Sequence, residues 1–168
     1  MSEKDNTNEN SESGRKMLSD IKAKREDPFY RAGESCRRAD ANARKCLDKA
    51  KQNDAIAETC LIKTNQCLEK DRPEAAEIEK LCNTAKAKLD ESAKLRKAAE
   101  ACKETSTGVK QEAKAFRQKE KGGEKGNTAK LEEATNKCDA ASRSAEKLLS
   151  KGEETSSGKA YSHNKYNR

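Results

Sequence analysis

With 168 residues, of which 32% are apolar and 40% charged, the chain has material for one domain but little for a wide globular core. Aromatic residues make up 3%, tryptophan is absent, and two prolines leave long runs rich in Ala, Lys, Glu and Leu, a composition that argues against a sheet protein and predicts long helices. The net charge of +7 does not by itself imply a polyanion partner, because Lys and Arg alternate with Asp and Glu along the chain instead of forming one basic block.

Residues 1–13 are rich in Ser, Asn and Glu and read as a disordered lead. They hold no apolar run, so they predict neither a secretory signal nor a membrane anchor, and no later stretch approaches the ~18 apolar residues of a span. The chain also lacks an Asn-x-Ser/Thr sequon. These features predict an intracellular protein, cytoplasmic or nuclear, that does not insert in a membrane.

A helical coiled-coil region is expected over residues 14–150. Met17, Leu18 and Ile21 lie at helical spacing in a short helix from Lys16 to Glu26, after which Asp27 and Pro28 have the chemistry of an N-cap and a first helical position. From Phe29 a three-four seam begins: Ala32, Cys36, Ala39, Ala43, Cys46, Ala50, Asn53, Ala57, Cys60, Thr64 and Cys67. It predicts a helix over 28–70. Leu47, Leu61 and Leu68, at heptad position e, widen the stripe toward a bundle face. Asn53-Asp54 is a weak spot, but the register continues across it, so the helix is expected to run through.

Asp71-Arg72-Pro73 is the strongest internal break, since Pro73 has no amide hydrogen and restricts the residue before it. A second long helix, 73–119, then carries Ile78, Leu81, Leu95, Cys102, Val109 and Phe116 inward, with Glu74 and Glu77 suiting the positive end of its dipole. Three glycines mark a linker over 121–126. A third helix, 128–150, is capped by Asn127 and repeats the spacing at Leu131, Ala134, Cys138, Ala141, Ala145 and Leu148. Residues 151–168, rich in Ser and Gly, read as a disordered tail. The expected fold is all-α: a long antiparallel coiled coil or helical bundle of two long helices and a shorter third, with disordered termini.

The catalytic inventory is thin. The single histidine, His163, falls in the tail, so no Ser-His-Asp or Cys-His site is expected within the chain. Gly122 to Gly126 and Gly158-Lys159-Ala160 lack the spacing of a phosphate loop and follow no predicted strand. The seven cysteines are the distinctive chemical feature, yet none forms a Cys-x2-Cys pair and no zinc ligand set suits their spacing, so no metal or cofactor is expected. Cys36, Cys46, Cys60, Cys67, Cys102 and Cys138 fall on a seam and Cys82 beside it, which predicts an inward role as core thiols or staples. A reversal at Asp71 to Pro73 sets Cys60 level with Cys82 and Cys46 level with Cys102, each within about one helical turn.

Cys36-x9-Cys46 resembles one half of the twin Cys-x9-Cys signature of the coiled-coil-helix proteins of the mitochondrial intermembrane space. That resemblance implies a small helical hairpin stapled by two disulfides, reversing near Asn53 and pairing Cys46 with Cys60. The second half departs from the signature, since Cys60-x6-Cys67 is three residues short and leaves Cys36 offset from Cys67 by about one turn.

The seam and the missing catalytic groups predict a non-enzymatic coiled-coil scaffold or interaction protein, partnered by another helix or by itself. A basic chromatin or nucleic-acid-associated protein is the less favoured alternative, because acids are interspersed among the bases. The intermembrane-space hairpin is the third reading.

Overall fold

The computed structural model describes the backbone of residues 3–166 and the side chains of residues 12–24 and 26–151. Four helices follow one another: α1 (Glu3–Glu26), α2 (Pro28–Leu68), α3 (Ala75–Lys121) and α4 (Ala129–Tyr166). Among the described residues there is no strand. The all-helical class is as expected, but the count of two long helices and a shorter third is corrected to four. No proline interrupts the chain before Asp27, so the helix expected from Lys16 extends back to Glu3. The expected disorder of residues 1–13 and 151–168 concerns stretches that lie largely outside the residues whose side chains are described.

The local signals act where their chemistry requires. Asp27 ends α1 and caps α2, its side-chain oxygen accepting from the Phe29 amide at 3.1 Å, with Pro28 in the first turn. α2 continues through Asn53 and Asp54 without a break. It stops at Leu68, and the chain reverses through the segment containing Pro73 before α3 begins at Ala75. α3 ends where Gly122 donates to the Gln118 and Lys119 carbonyls, both at 3.1 Å. Gly123 follows with φ +82°, the left-handed conformation that an L side chain resists. Asn127 then caps α4 by accepting from the Ala129 amide at 3.0 Å.

The seam is buried along its length in α2: each of its positions from Ala32 to Cys67 lies in the interior, and Phe29 is half-buried. α3 lies antiparallel against it, since the partner's number falls as the α2 number rises, from Cys36 with Ser106 to Ala50 with Ser92. α4 returns parallel to α2 at a constant offset of 100 residues, seen in Ser35 to Thr135, Asn42 to Ser142 and Lys49 to Leu149. The three helices share one core, with Leu95, Val109 and Leu131 its largest fully buried side chains beside Ala and Cys. Beyond Ala50 a second, smaller cluster of Ala57, Cys60, Ala85 and Leu81 draws, among the described residues, on α2 and α3. Among the residues whose side chains are described, the bundle therefore has a three-helix end and a two-helix end. Among the described residues no helix is long and apolar enough to cross a membrane.

Candidate functional site

Three lines of residues on α2 have different fates, and the heptad explains them. Positions a and d face α3. Position g holds Ser35, Asn42 and Lys49, which face α4, while position e holds Asp40, Leu47, Asp54, Leu61 and Leu68 on the opposite flank. α4 covers the g side at the three-helix end. Among the described residues no helix covers the e side of α2 and α3.

The g side is joined by polar groups that apolar periodicity does not register. Ser35 donates to the Thr135 carbonyl at 3.4 Å and to Asp139 Oδ1 at 2.6 Å. Asn42 donates to the Ser142 carbonyl at 3.4 Å and to Glu146 Oε1 at 3.1 Å. Arg38 grips the same carboxylate with both prongs, Nε to Oε1 at 2.7 Å and Nη2 to Oε2 at 2.6 Å. The Arg38 guanidinium, with Asn42 assisting, pulls the Glu146 carboxyl down to about 2. Sequence reasoning missed all of these. The signal it needed was polar rather than apolar: Ser35, Asn42 and Lys49 recur every seventh residue, and Thr135 and Ser142 stand seven apart opposite the first two.

The e side begins with ion pairs. Lys110 Nζ lies 3.2 Å from Asp40 Oδ2, and two heptads on, Arg96 pairs with Asp54. Ser92 donates to Asp54 as well, at 2.6 Å, and this hydrogen bond, with Arg96 second, holds the Asp54 carboxyl below its ordinary range. The register of these two pairs, carried on along the flank, sets Leu61 level with Leu89 and Leu68 level with Cys82. Here the ladder turns apolar, yet Leu61, Leu68 and Leu89 are 48%, 58% and 47% exposed. The expectation that Leu61 and Leu68 meet a bundle face is therefore corrected. The described part of α4 packs on the other flank, and only Leu47, next to the three-helix core, is partly covered.

The cysteines divide by depth. Cys36, Cys46, Cys102 and Cys138 belong to the three-helix core. Cys60 and Cys67 are buried at the two-helix end, and Cys82 is exposed. Of the residues set level by the reversal, Cys46 and Cys102 share one core, and their ionised forms would repel each other. Cys60 points inward while Cys82 points to solvent. All seven are free thiols. Cys36 donates to the Ser106 carbonyl and Cys138 to the Ser35 carbonyl, both at 3.6 Å. Burial raises the thiols of Cys36 and Cys46, and burial with Cys46 and Cys138 nearby pushes Cys102 to about 11. Such thiols stay protonated at neutral pH and are poor nucleophiles. Among the described residues no group of His, Cys, Asp and Glu is arranged to hold a metal ion. Cys46 and Cys60 lie two heptads apart on the one unbroken helix α2, so they do not face each other across a hairpin.

At the start of α2 a groove of about 530 Å³ opens on the e side between α2 and α3. Its floor is Phe29, Ala32, Cys36, Val109 and Ala113, and its rim carries Arg37, Lys110, Lys114 and Arg117 with Asp40. Phe116 closes edge-on against Phe29 at 5.0 Å, and the Arg117 guanidinium sits 5.7 Å above the Phe29 ring.

The chain matches no protein-family model, and comparison with curated proteins and with solved structures likewise gives no match.

Proposed function

We propose that this chain is a non-enzymatic scaffold, a coiled-coil bundle that acts by binding a helix, either of another protein or of a second copy, along the e-side flank of α2 and α3. The observation that carries this reading is the change in the flank's rungs. The Asp40–Lys110 and Asp54–Arg96 pairs satisfy each other, whereas Leu61, Leu89 and Leu68 stand in the equivalent places with about half of their surface in water. Apolar side chains in register on a helical face are the usual anchors for a helix laid in a groove. The hairpin covers only about half of each leucine, and the half left in water fits a partner better than a core.

The test is a comparison of the wild-type chain with the Leu61→Ser, Leu89→Ser variant. Sedimentation of the purified protein and co-purification from its native cell should both lose a species in the variant. An unassociated wild type with no partner that depends on these leucines would overturn the reading.

A second reading, a chromatin or nucleic-acid-associated protein, draws on the rim of Arg37, Lys110, Lys114 and Arg117 around the groove at the start of α2. Binding of this kind weakens steeply with salt, so absence of DNA binding at about 50 mM salt removes it. The intermembrane-space hairpin gains no support from a helix that runs unbroken through Asn53.

A further inference from the structure

Among the exposed apolar side chains of the described residues, two groups complement each other. One is the stripe of α1, where Met17, Leu18 and Ile21 are 64%, 69% and 44% exposed. The other is the strip at the two-helix end formed by Leu61, Leu68 and Leu89, with Cys82 also exposed beside them. Their charged borders have opposite signs. Arg15, Lys22 and Lys24 flank the stripe against Asp20, while around the strip Glu58, Glu69, Asp71, Glu79 and Asp90 outnumber Arg72 and Lys86. None of these charges is engaged in an ion pair among the described residues.

We propose that the Met17–Leu18–Ile21 stripe of one copy docks on the Leu61–Leu68–Leu89 strip of a second copy. The inference rests on the flank reading above and names its occupant. A single chain cannot make this contact. Only Asp27 separates α1 from α2, and α1 touches the bundle through α2 alone. Even folded straight back along α2, α1 would carry Met17, the far end of the stripe, no further than about residue 39, still ~33 Å of helix short of Leu61. The stripe must therefore find its partner on another molecule. Basic residues beside one surface and acidic residues beside the other select this pairing over stripe-to-stripe or strip-to-strip contact, each of which would oppose like charges. Reciprocal docking between two copies closes a two-fold dimer in which the contact is made twice.

The contact rests on few side chains, so it belongs with weak interfaces and calls for protein at about 200 μM. The test uses the full chain carrying Leu18→Cys, prepared in isotopically heavy and light forms, mixed, and treated with a short thiol-to-thiol cross-linker. The expected product joins position 18 of a heavy copy to Cys82 of a light one, and it declines at about 1 M salt, where the charged borders are screened. In parallel, the Met17→Ser, Leu18→Ser, Ile21→Ser chain, whose substituted side chains are all exposed, should self-associate at least about tenfold more weakly by sedimentation. Absence of the mixed heavy–light link overturns the proposal. So does self-association that survives the α1 substitutions yet disappears with Leu61→Ser and Leu89→Ser, an outcome that keeps the flank as a binding face and gives it a different occupant.

Discussion

Arg38 and Glu146, 108 positions apart in sequence, are held by two parallel hydrogen bonds of 2.7 and 2.6 Å, and Asn42 adds a third donor at 3.1 Å. With Ser35 to Thr135 and Lys49 to Leu149, this pairing sets the register of α4 on α2.

The pairing makes α4 docking sensitive to acid. Glu146 has a folded value of about 2 against an ordinary 4.5, so its contribution is present above pH 4.5 and is lost as pH falls toward about 2. The carboxylate side chain is 40% exposed, so screening reduces the effect well below the full shift, to about 1 kcal/mol. Glu146→Gln should therefore lower stability by about that amount near neutral pH, while its denaturation curve converges with the wild type near about pH 2. A gap between the two curves that does not change with pH would contradict this.

Thiol depth predicts an order of modification. Cys82 is exposed and should be alkylated first in the native chain. Cys60 and Cys67 should follow through opening of the two-helix end, which has the smaller core. Cys46, Cys102 and Cys138, fully buried at 0% exposure, should react only on global unfolding. Peptide mapping after timed iodoacetamide labelling reads the order directly. On the alkaline side the sign is opposite to that of Glu146: Cys102 is raised from 9.0 to about 11, so the stability of its buried neutral thiol holds below 9 and falls through that window. Cys102→Ala should show a shallower alkaline loss.

Gly126 is constrained by an aromatic ring. A methyl group there would overlap the Phe116 ring, reaching Cζ at 2.6 Å and Cδ2 at 2.8 Å, and Phe116 is itself held edge-on by Phe29. Gly126→Ala should destabilise by about 1–3 kcal/mol through overpacking. Adding Phe116→Leu should recover part of that loss in a denaturant titration, whereas simple additivity of the two substitutions would argue against the contact.

The seam of α2 could be read from sequence because apolar and small residues at a and d report burial against α3 directly, and even Asn53 and Thr64, polar members of the seam, proved buried. The caps at Asp27 and Asn127 were legible for the same local reason. The α4 contact was not. Ser35, Asn42, Thr135 and Ser142 are buried although hydrophilic, since short polar side chains let the helices approach closely and, in Ser35, Asn42 and Thr135, hydrogen-bond to backbone carbonyls. An apolar template assigns such positions to solvent. Conversely, it placed Leu61 and Leu68 inward because it had no means of telling which flank α4 would choose. The open flank, on which the proposed function rests, thus emerges only when the fate of α4 is known.

Cys82 provides a reporter on that flank that is independent of the partner's identity. A brief pulse of N-ethylmaleimide should label it readily in purified, dilute chain, where it is exposed. In intact native cells, a flank occupied by a helix should slow that labelling at least about tenfold, and Leu61→Ser with Leu89→Ser should restore the fast rate. Equal labelling of Cys82 in cells and in dilute solution would contradict the account.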